Sequence, residues 1–94
     1  MQEENIVRRQ YYQIYVEFER NPGIEKLFAS VINALHPIEE IKVQSHQIVI
    51  YKDNRDIEVK VGYDPYIQVS TPFQNKTKAI FDEIMNEIKT LWDD

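Results

Sequence analysis

The sequence predicts an α+β domain in which helices cover one face of an antiparallel meander of three or four strands, in the order α-α-β-β-(β)-β-α. Three patterns predict it. Apolar residues alternate with polar ones between Gln47 and Thr71, apolar residues at helical spacing precede this stretch, and a helix-capping sequence follows it. A chain of 94 residues is the size of one domain, so we expect residues 1–94 to share one core.

The first predicted helix covers residues 4–20. Its core stripe consists of apolar residues three or four positions apart, namely Val7, Tyr11, Ile14, Tyr15 and Phe18. A second helix follows to about Leu35, with Asn21 as its N-cap and Pro22 at its first position. The His36-Pro37 step ends it, because proline disfavours helical geometry in the preceding residue.

The meander is predicted from aliphatic residues that all fall on one side. A two-residue loop at Asp53-Asn54 would place Ile50 opposite Ile57 and Ile48 opposite Val59. A turn through residues 63–65 would then set Val61 against Ile67 and Val59 against Val69.

Residues 38–45 allow two interpretations. A tight turn at Ser45-His46 would make them an edge strand with Val43 beside Ile48 and Ile41 beside Ile50. Because Ser-His is a poor pair for a hairpin turn, one long bent strand is the alternative.

The last helix is predicted from Thr71-Pro72-Phe73-Gln74, which reads as a capping box with proline in the first position. Its apolar arc would contact both the sheet and a helix; it comprises Phe73, Ile80, Phe81, Ile84, Met85, Ile88, Leu91 and Trp92. The sheet face away from the helices, called the outer face below, would carry Val49, Tyr51, Glu58, Lys60, Gly62, Tyr66, Gln68 and Ser70.

Composition narrows the functional classes. The chain has no cysteine, which excludes disulfides and thiolate chemistry, and its net charge of -5 argues against direct nucleic-acid binding. The acidic, polar first residues do not resemble a secretory signal, and no apolar run is long enough for a membrane span. We therefore expect a cytoplasmic protein without membrane association.

Three surfaces are candidate binding sites. On a helical wheel of residues 4–20, a second stripe is formed by Arg9, Tyr12, Val16 and Arg20, and a homodimer is its simplest use because a symmetric dimer needs one patch. The alternative is that its apolar members are scattered surface residues. Tyr51 and Tyr66 on the outer face indicate a recognition surface, or else tyrosines that suit strands and cover Gly62.

The third surface is an acidic strip on the last helix, formed by Asp82, Glu83 and Glu87. Lys76 and Lys78 precede it, an order unfavourable to the helix dipole, so the strip could dock on a basic partner or imitate nucleic-acid phosphates. The alternative is an ordinary solvated face.

No residue set indicates catalysis, a cofactor or a metal. His36 and His46 lack a second ligand at metal spacing, and two glycines cannot make a phosphate loop. We therefore expect a small non-enzymatic regulator that binds another protein, as a homodimer in its simplest form. The alternative is an acidic inhibitor of a nucleic-acid-handling machine, such as a viral anti-defence protein; an enzyme would require a pocket with clustered titratable groups.

Overall fold

The computed structural model describes residues 10–92, with the Trp92 side chain outside the description. These residues form five strands and two helices, in the order β1 (Tyr12–Glu17), α1 (Ile24–Leu35), β2 (Glu40–Val43), β3 (Gln47–Lys52), β4 (Ile57–Gly62), β5 (Tyr66–Thr71) and α2 (Gln74–Trp92). The strands make one antiparallel sheet in the order β1-β5-β4-β3-β2. The α+β class and the antiparallel sheet are thus confirmed.

The first predicted helix is wrong, because Tyr12–Glu17 is a strand at the edge of the sheet. Ile14 lies opposite Val69 and Val16 opposite Ile67. The aromatic and β-branched residues of this segment favour a strand. Its apolar residues fit the two-residue period of a strand as well as the three- to four-residue spacing of a helix. Residues 4–9 of that predicted helix lie outside the described residues.

One core holds the fold together. Both helices contribute to it together with the aliphatic residues of β3, β4 and β5; its buried members are Leu27, Val31, Leu35, Ile48, Ile50, Ile57, Val59, Val61, Ile67, Val69, Ile80, Ile84 and Ile88. The helices pack against each other and contact β1, β4 and β5. Each fully buried aliphatic side chain stabilises the fold by about 1.5–3 kcal/mol relative to an exposed one.

Two of the three predicted registers are confirmed. Val61 pairs with Ile67 and Val59 with Val69, and β2 is a separate strand whose Val43 and Ile41 pair with Ile48 and Ile50. Ile41 and Val43 lie on the helix-facing side but remain 43% and 71% exposed, because the helices pack over β1, β4 and β5.

The predicted register between β3 and β4 is wrong by two residues. Ile50 pairs with Val59 and Ile48 with Val61, so the connection is a four-residue turn over residues 53–56. Asp53, Asn54 and Arg55 all have positive φ, and the Asn54 N–H donates to Glu39 Oε1 at 2.8 Å. An even shift keeps each side chain on its predicted face, which is why the core assignment survives.

The helix boundaries also differ from the predicted caps. Gly23, with φ 95°, precedes α1, and its N–H donates to Asn21 Oδ1 at 2.8 Å. Thr71 is not the N-cap of α2, because it pairs with Tyr12 at the end of β5, and the first helical hydrogen bond runs from Thr77 N–H to Phe73 O. Phe73, predicted to contact the sheet, is exposed.

Candidate protein-binding surface

The outer face is formed by every second residue of all five strands, and neither helix covers it. It carries Gln13, Tyr15 and Glu17 of β1, Tyr66, Gln68 and Ser70 of β5, Glu58, Lys60 and Gly62 of β4, Gln47, Val49 and Tyr51 of β3, and Glu40 and Lys42 of β2. The placement of Tyr51 and Tyr66 on this face agrees with the sequence-based prediction.

One end of the outer face is organised by Tyr66. Its ring lies over Gly62, the residue opposite it on β4, where a Cβ would overlap the ring. Its hydroxyl donates to Gln47 Oε1 at 2.6 Å, and the Gln47 amide donates to Gln44 Oε1 at 2.9 Å. Tyr66 therefore covers a glycine and links β5 to β3 across β4, as in aromatic rescue of a strand glycine.

Tyr15 extends this arrangement to the edge of the sheet. Its ring centroid lies 5.2 Å from that of Tyr66, with the planes tilted by 32°, and the side chain is still 51% exposed. Partial desolvation raises the pKa of the Tyr15 phenol, and the nearby Glu17 carboxylate raises it further. Tyr15 thus packs against Tyr66 and leaves much of its surface available.

The other end of the outer face is built around Arg55, in the turn between β3 and β4. Its Nε and Nη2 donate to Glu40 Oε1 at 3.0 and 2.7 Å, and its guanidinium lies 4.7 Å from the Tyr51 ring centroid. Lys42 Nζ lies 5.7 Å from the same ring. The Glu40 carboxylate raises the pKa of Arg55, so this cation persists at every physiological pH.

Tyr51 occupies the centre of this cluster. Desolvation raises the pKa of its phenol, and the Glu58 carboxylate on the facing strand adds to the effect. The ring therefore stays neutral under a guanidinium, an arrangement that stabilises both groups by cation–π attraction.

The two ends of the outer face are joined by ordered side chains and a shallow groove. Val49 and Ser70 point to this face yet are only 2% and 4% exposed, so longer neighbours cover the middle of the sheet. A groove of ≈ 310 Å³ beside them is lined by Tyr11, Gln13, Arg55, Glu58 and Ser70. The outer face is thus a shaped surface rather than a layer of independent solvated side chains.

The predicted stripe on the first helix is not formed. Tyr12 and Val16 lie on the helix-facing side of β1, and Val16 packs against the core. Arg20 lies in the segment between β1 and α1, and Arg9 lies outside the described residues. The sequence did not lead to Tyr15 or Arg55 as members of this surface. The alternation of Tyr15 with Ile14 and Val16 could have indicated the position of Tyr15, whereas no sequence pattern indicated Arg55.

The acidic strip lies on α2 as predicted. Asp82 and Glu83 are exposed and Glu87 is half-buried. Lys78 Nζ lies 3.0 Å from Asp82, and Lys76 Nζ lies 3.2 Å from Asp53 in the β3–β4 turn. Both lysines at the start of α2 therefore have acidic partners, which offsets their unfavourable position on the helix dipole.

A cleft of ≈ 370 Å³ lies beside the contact between β1 and the start of α2 and is lined by Tyr12, Gln13, Ile14, Gln74, Asn75, Thr77 and Lys78. Its titratable side chains are Tyr12 and Lys78.

Within residues 10–92, no group of three or more acidic or histidine side chains is placed to hold a metal ion, and neither helix could cross a membrane.

Comparison of the chain with protein-family models, curated proteins and solved structures gave no match.

Proposed function

We propose that this protein is a non-enzymatic binding protein whose outer face recognises another protein. The observation that carries the proposal is the pair of assembled clusters on that face, Tyr15 on Tyr66 and Arg55 on Tyr51. Tyrosine and arginine are, with tryptophan, the residues enriched among those that dominate the binding energy of protein interfaces.

The hydrogen bonds that hold these side chains in place support the proposal. Tyr66 is held by its hydrogen bond to Gln47, and Arg55 by two hydrogen bonds to Glu40. Immobilising a free side chain at an interface costs about 0.5–1.5 kcal/mol. Side chains that are already held by intramolecular contacts avoid much of that cost, so the face is preorganised for binding.

The charges of the outer face favour a protein over a nucleic acid. Its strand positions carry two bases, Lys42 and Lys60, and three acids, Glu17, Glu40 and Glu58, and the Arg55 guanidinium lies over Tyr51 on the same face. A phosphate backbone requires an excess of positive charge. A balanced set around aromatic anchors matches the polar rim of a protein interface.

Quantitative affinity capture tests the proposal. The full chain is used as bait in a lysate of cells that produce it, together with the double variant Tyr15→Ser/Arg55→Ala and the control Glu83→Gln/Glu87→Gln. We expect a protein that the wild type and the control retain and that the outer-face variant loses. Loss with the control alone would refute the proposal and support the acidic-inhibitor alternative.

A further inference from the structure

The two edges of the sheet differ in how they are protected. An edge strand exposes unpaired backbone N–H and C=O groups, which proteins shield with short strands and central lysines. At one edge, β2 has four residues with Lys42 among them; at the other, β1 has six residues and contains no lysine, arginine or proline. Within residues 10–92, no strand pairs with the outer edge of β1, which has neither the short length nor the lysine that protects β2.

The direction of the free backbone groups follows from the ladder. Phe18 N–H donates to Pro65 O at 2.9 Å, so the even-numbered residues of β1 point their backbone groups to β5. Gln13, Tyr15 and Glu17 therefore direct their N–H and C=O groups to the open edge. Their side chains lie on the outer face, where none blocks an incoming strand.

We propose that β1 pairs antiparallel with β1 of a second copy of this chain, about a two-fold axis at Tyr15. The inference goes beyond the proposed function, because it uses the backbone edge of the sheet. The resulting assembly would be a continuous ten-stranded sheet, twice the five strands of one copy.

The side chains of β1 are self-complementary about that axis. Ile14 would lie opposite Val16 of the second copy, so half-buried aliphatic residues cover each other on the helix-facing side. On the outer face, the Gln13 amide would meet the Glu17 carboxylate and can donate to it. No like charges face each other, whereas an axis at Glu17 would oppose two carboxylates.

The axis at Tyr15 also continues a feature of the single chain. Tyr15 stacks on Tyr66, so two copies would place four tyrosines in one row across the new interface. The β2 edge offers no equal match. Pairing Ile41 with Val43 of a second copy there would set Lys42 against Lys42, which is unfavourable.

Light scattering coupled to size exclusion tests the pairing with the full chain. We expect a concentration-dependent dimer for the wild type. Gln13→Pro removes an N–H that points to the open edge and none that bonds β5, so it should raise the dimer dissociation constant by about tenfold or more. Gln13→Thr keeps the N–H and should dimerise. Circular dichroism and urea titration report whether the proline variant is folded.

Cross-linking tests the register and does not depend on the proline variant. Because the chain has no cysteine, a disulfide between a Gln13→Cys copy and a Glu17→Cys copy reports the contact between these two positions alone. Facing residues lie about 5.5 Å apart between Cα atoms, within disulfide reach, whereas Gln13 of one copy lies roughly 15 Å from Gln13 of the other. A mixture of the Gln13→Cys and Glu17→Cys variants should form a disulfide-linked dimer. Each variant by itself should not form one.

A mass of one chain at all concentrations would overturn the inference, as would a dimer that fails the mixed cross-link. The outcome is separate from that of the outer-face proposal, since Arg55→Ala leaves every residue of β1 in place. This variant should impair partner capture and leave the dimer mass unchanged.

Discussion

The Tyr66 hydroxyl donates a 2.6 Å hydrogen bond to the Gln47 side chain, so a residue of β5 is fastened to β3 across the intervening strand. The bond crosses a glycine that leaves room for the ring. It links the aromatic end of the outer face to β3.

Removing this hydroxyl should weaken the fold modestly. Tyr66→Phe keeps the ring over Gly62 and loses a partly buried hydrogen bond, which is worth about 0.5–1.5 kcal/mol. Urea denaturation should show this decrease in the free energy of unfolding. Tyr63→Phe, at an exposed turn position, is the matched control and should stay within about 0.5 kcal/mol. Equal effects of the two substitutions would contradict a role for the bond.

Gly62→Ala should destabilise the protein because of Tyr66. The new Cβ would overlap the ring, and forced repacking of this kind costs about 1–3 kcal/mol. In a Tyr66→Ala background the same substitution should instead stabilise the strand, since alanine is favoured over glycine there by about 0.5–1 kcal/mol. A double-mutant cycle of unfolding free energies measures this change of sign; additive effects would rule out the overlap as the cause.

Thr77 connects α2 to the sheet through buried hydroxyl contacts. Its Oγ1 lies 2.9 Å from Thr71 Oγ1 and 3.0 Å from Tyr12 O. Thr77→Val should cost about 1–3 kcal/mol, because buried polar groups lose their partner. Thr90→Val, which removes a hydroxyl bonded to Asn86 O on the exposed side of the same helix, should cost less than about 0.5 kcal/mol. Thermal and urea unfolding of the two variants should separate them clearly.

Arg55 adopts φ 68°, a conformation that L-residues other than asparagine and aspartate seldom take. Arg55→Ala and Arg55→Gly both lose the Glu40 ion pair and the Tyr51 contact, but only glycine relieves the backbone. We therefore expect the glycine variant to be more stable than the alanine variant by about 1 kcal/mol. The reverse order in denaturant titrations would exclude backbone strain at this turn.

The pKa of the Tyr51 phenol is raised in the folded state, first by desolvation and then by Glu58. A group whose pKa is raised by folding stabilises the protein below its unfolded pKa, about 10 for tyrosine, and this contribution is lost as pH rises through the folded value. Absorbance titration of phenolate should show a late-ionising fraction that Tyr51→Phe diminishes. The free energy of unfolding should fall more steeply above pH 10 in the wild type than in Tyr51→Phe.

Much of the sheet was predictable because its strands alternate strictly. Ile57, Val59 and Val61 lie in the core, and the β4–β5 and β2–β3 registers match the sequence-based expectation. The β3–β4 register was not predictable, because the turn uses positive φ at Arg55, which its residue type does not suggest.

The outer-face tyrosines were predictable as positions but not as contacts. Tyr51 and Tyr66 follow from alternation alone, whereas the stack on Tyr15 requires that β1 pair with β5. Arg55 meets Glu40 only because β2 folds back beside β3. Contacts between residues far apart in the chain have no local signal.

The sequence by itself determined the face of each residue in the meander and the positions of α1 and α2, because apolar periodicity depends on the neighbours along the chain. Only the tertiary structure decided that residues 12–17 form a strand. Their apolar residues fit the period of a strand and that of a helix. Pairing with β5 supplies the backbone hydrogen bonds that a helix would otherwise have provided. Ile14 and Val16 still face the helices in this arrangement.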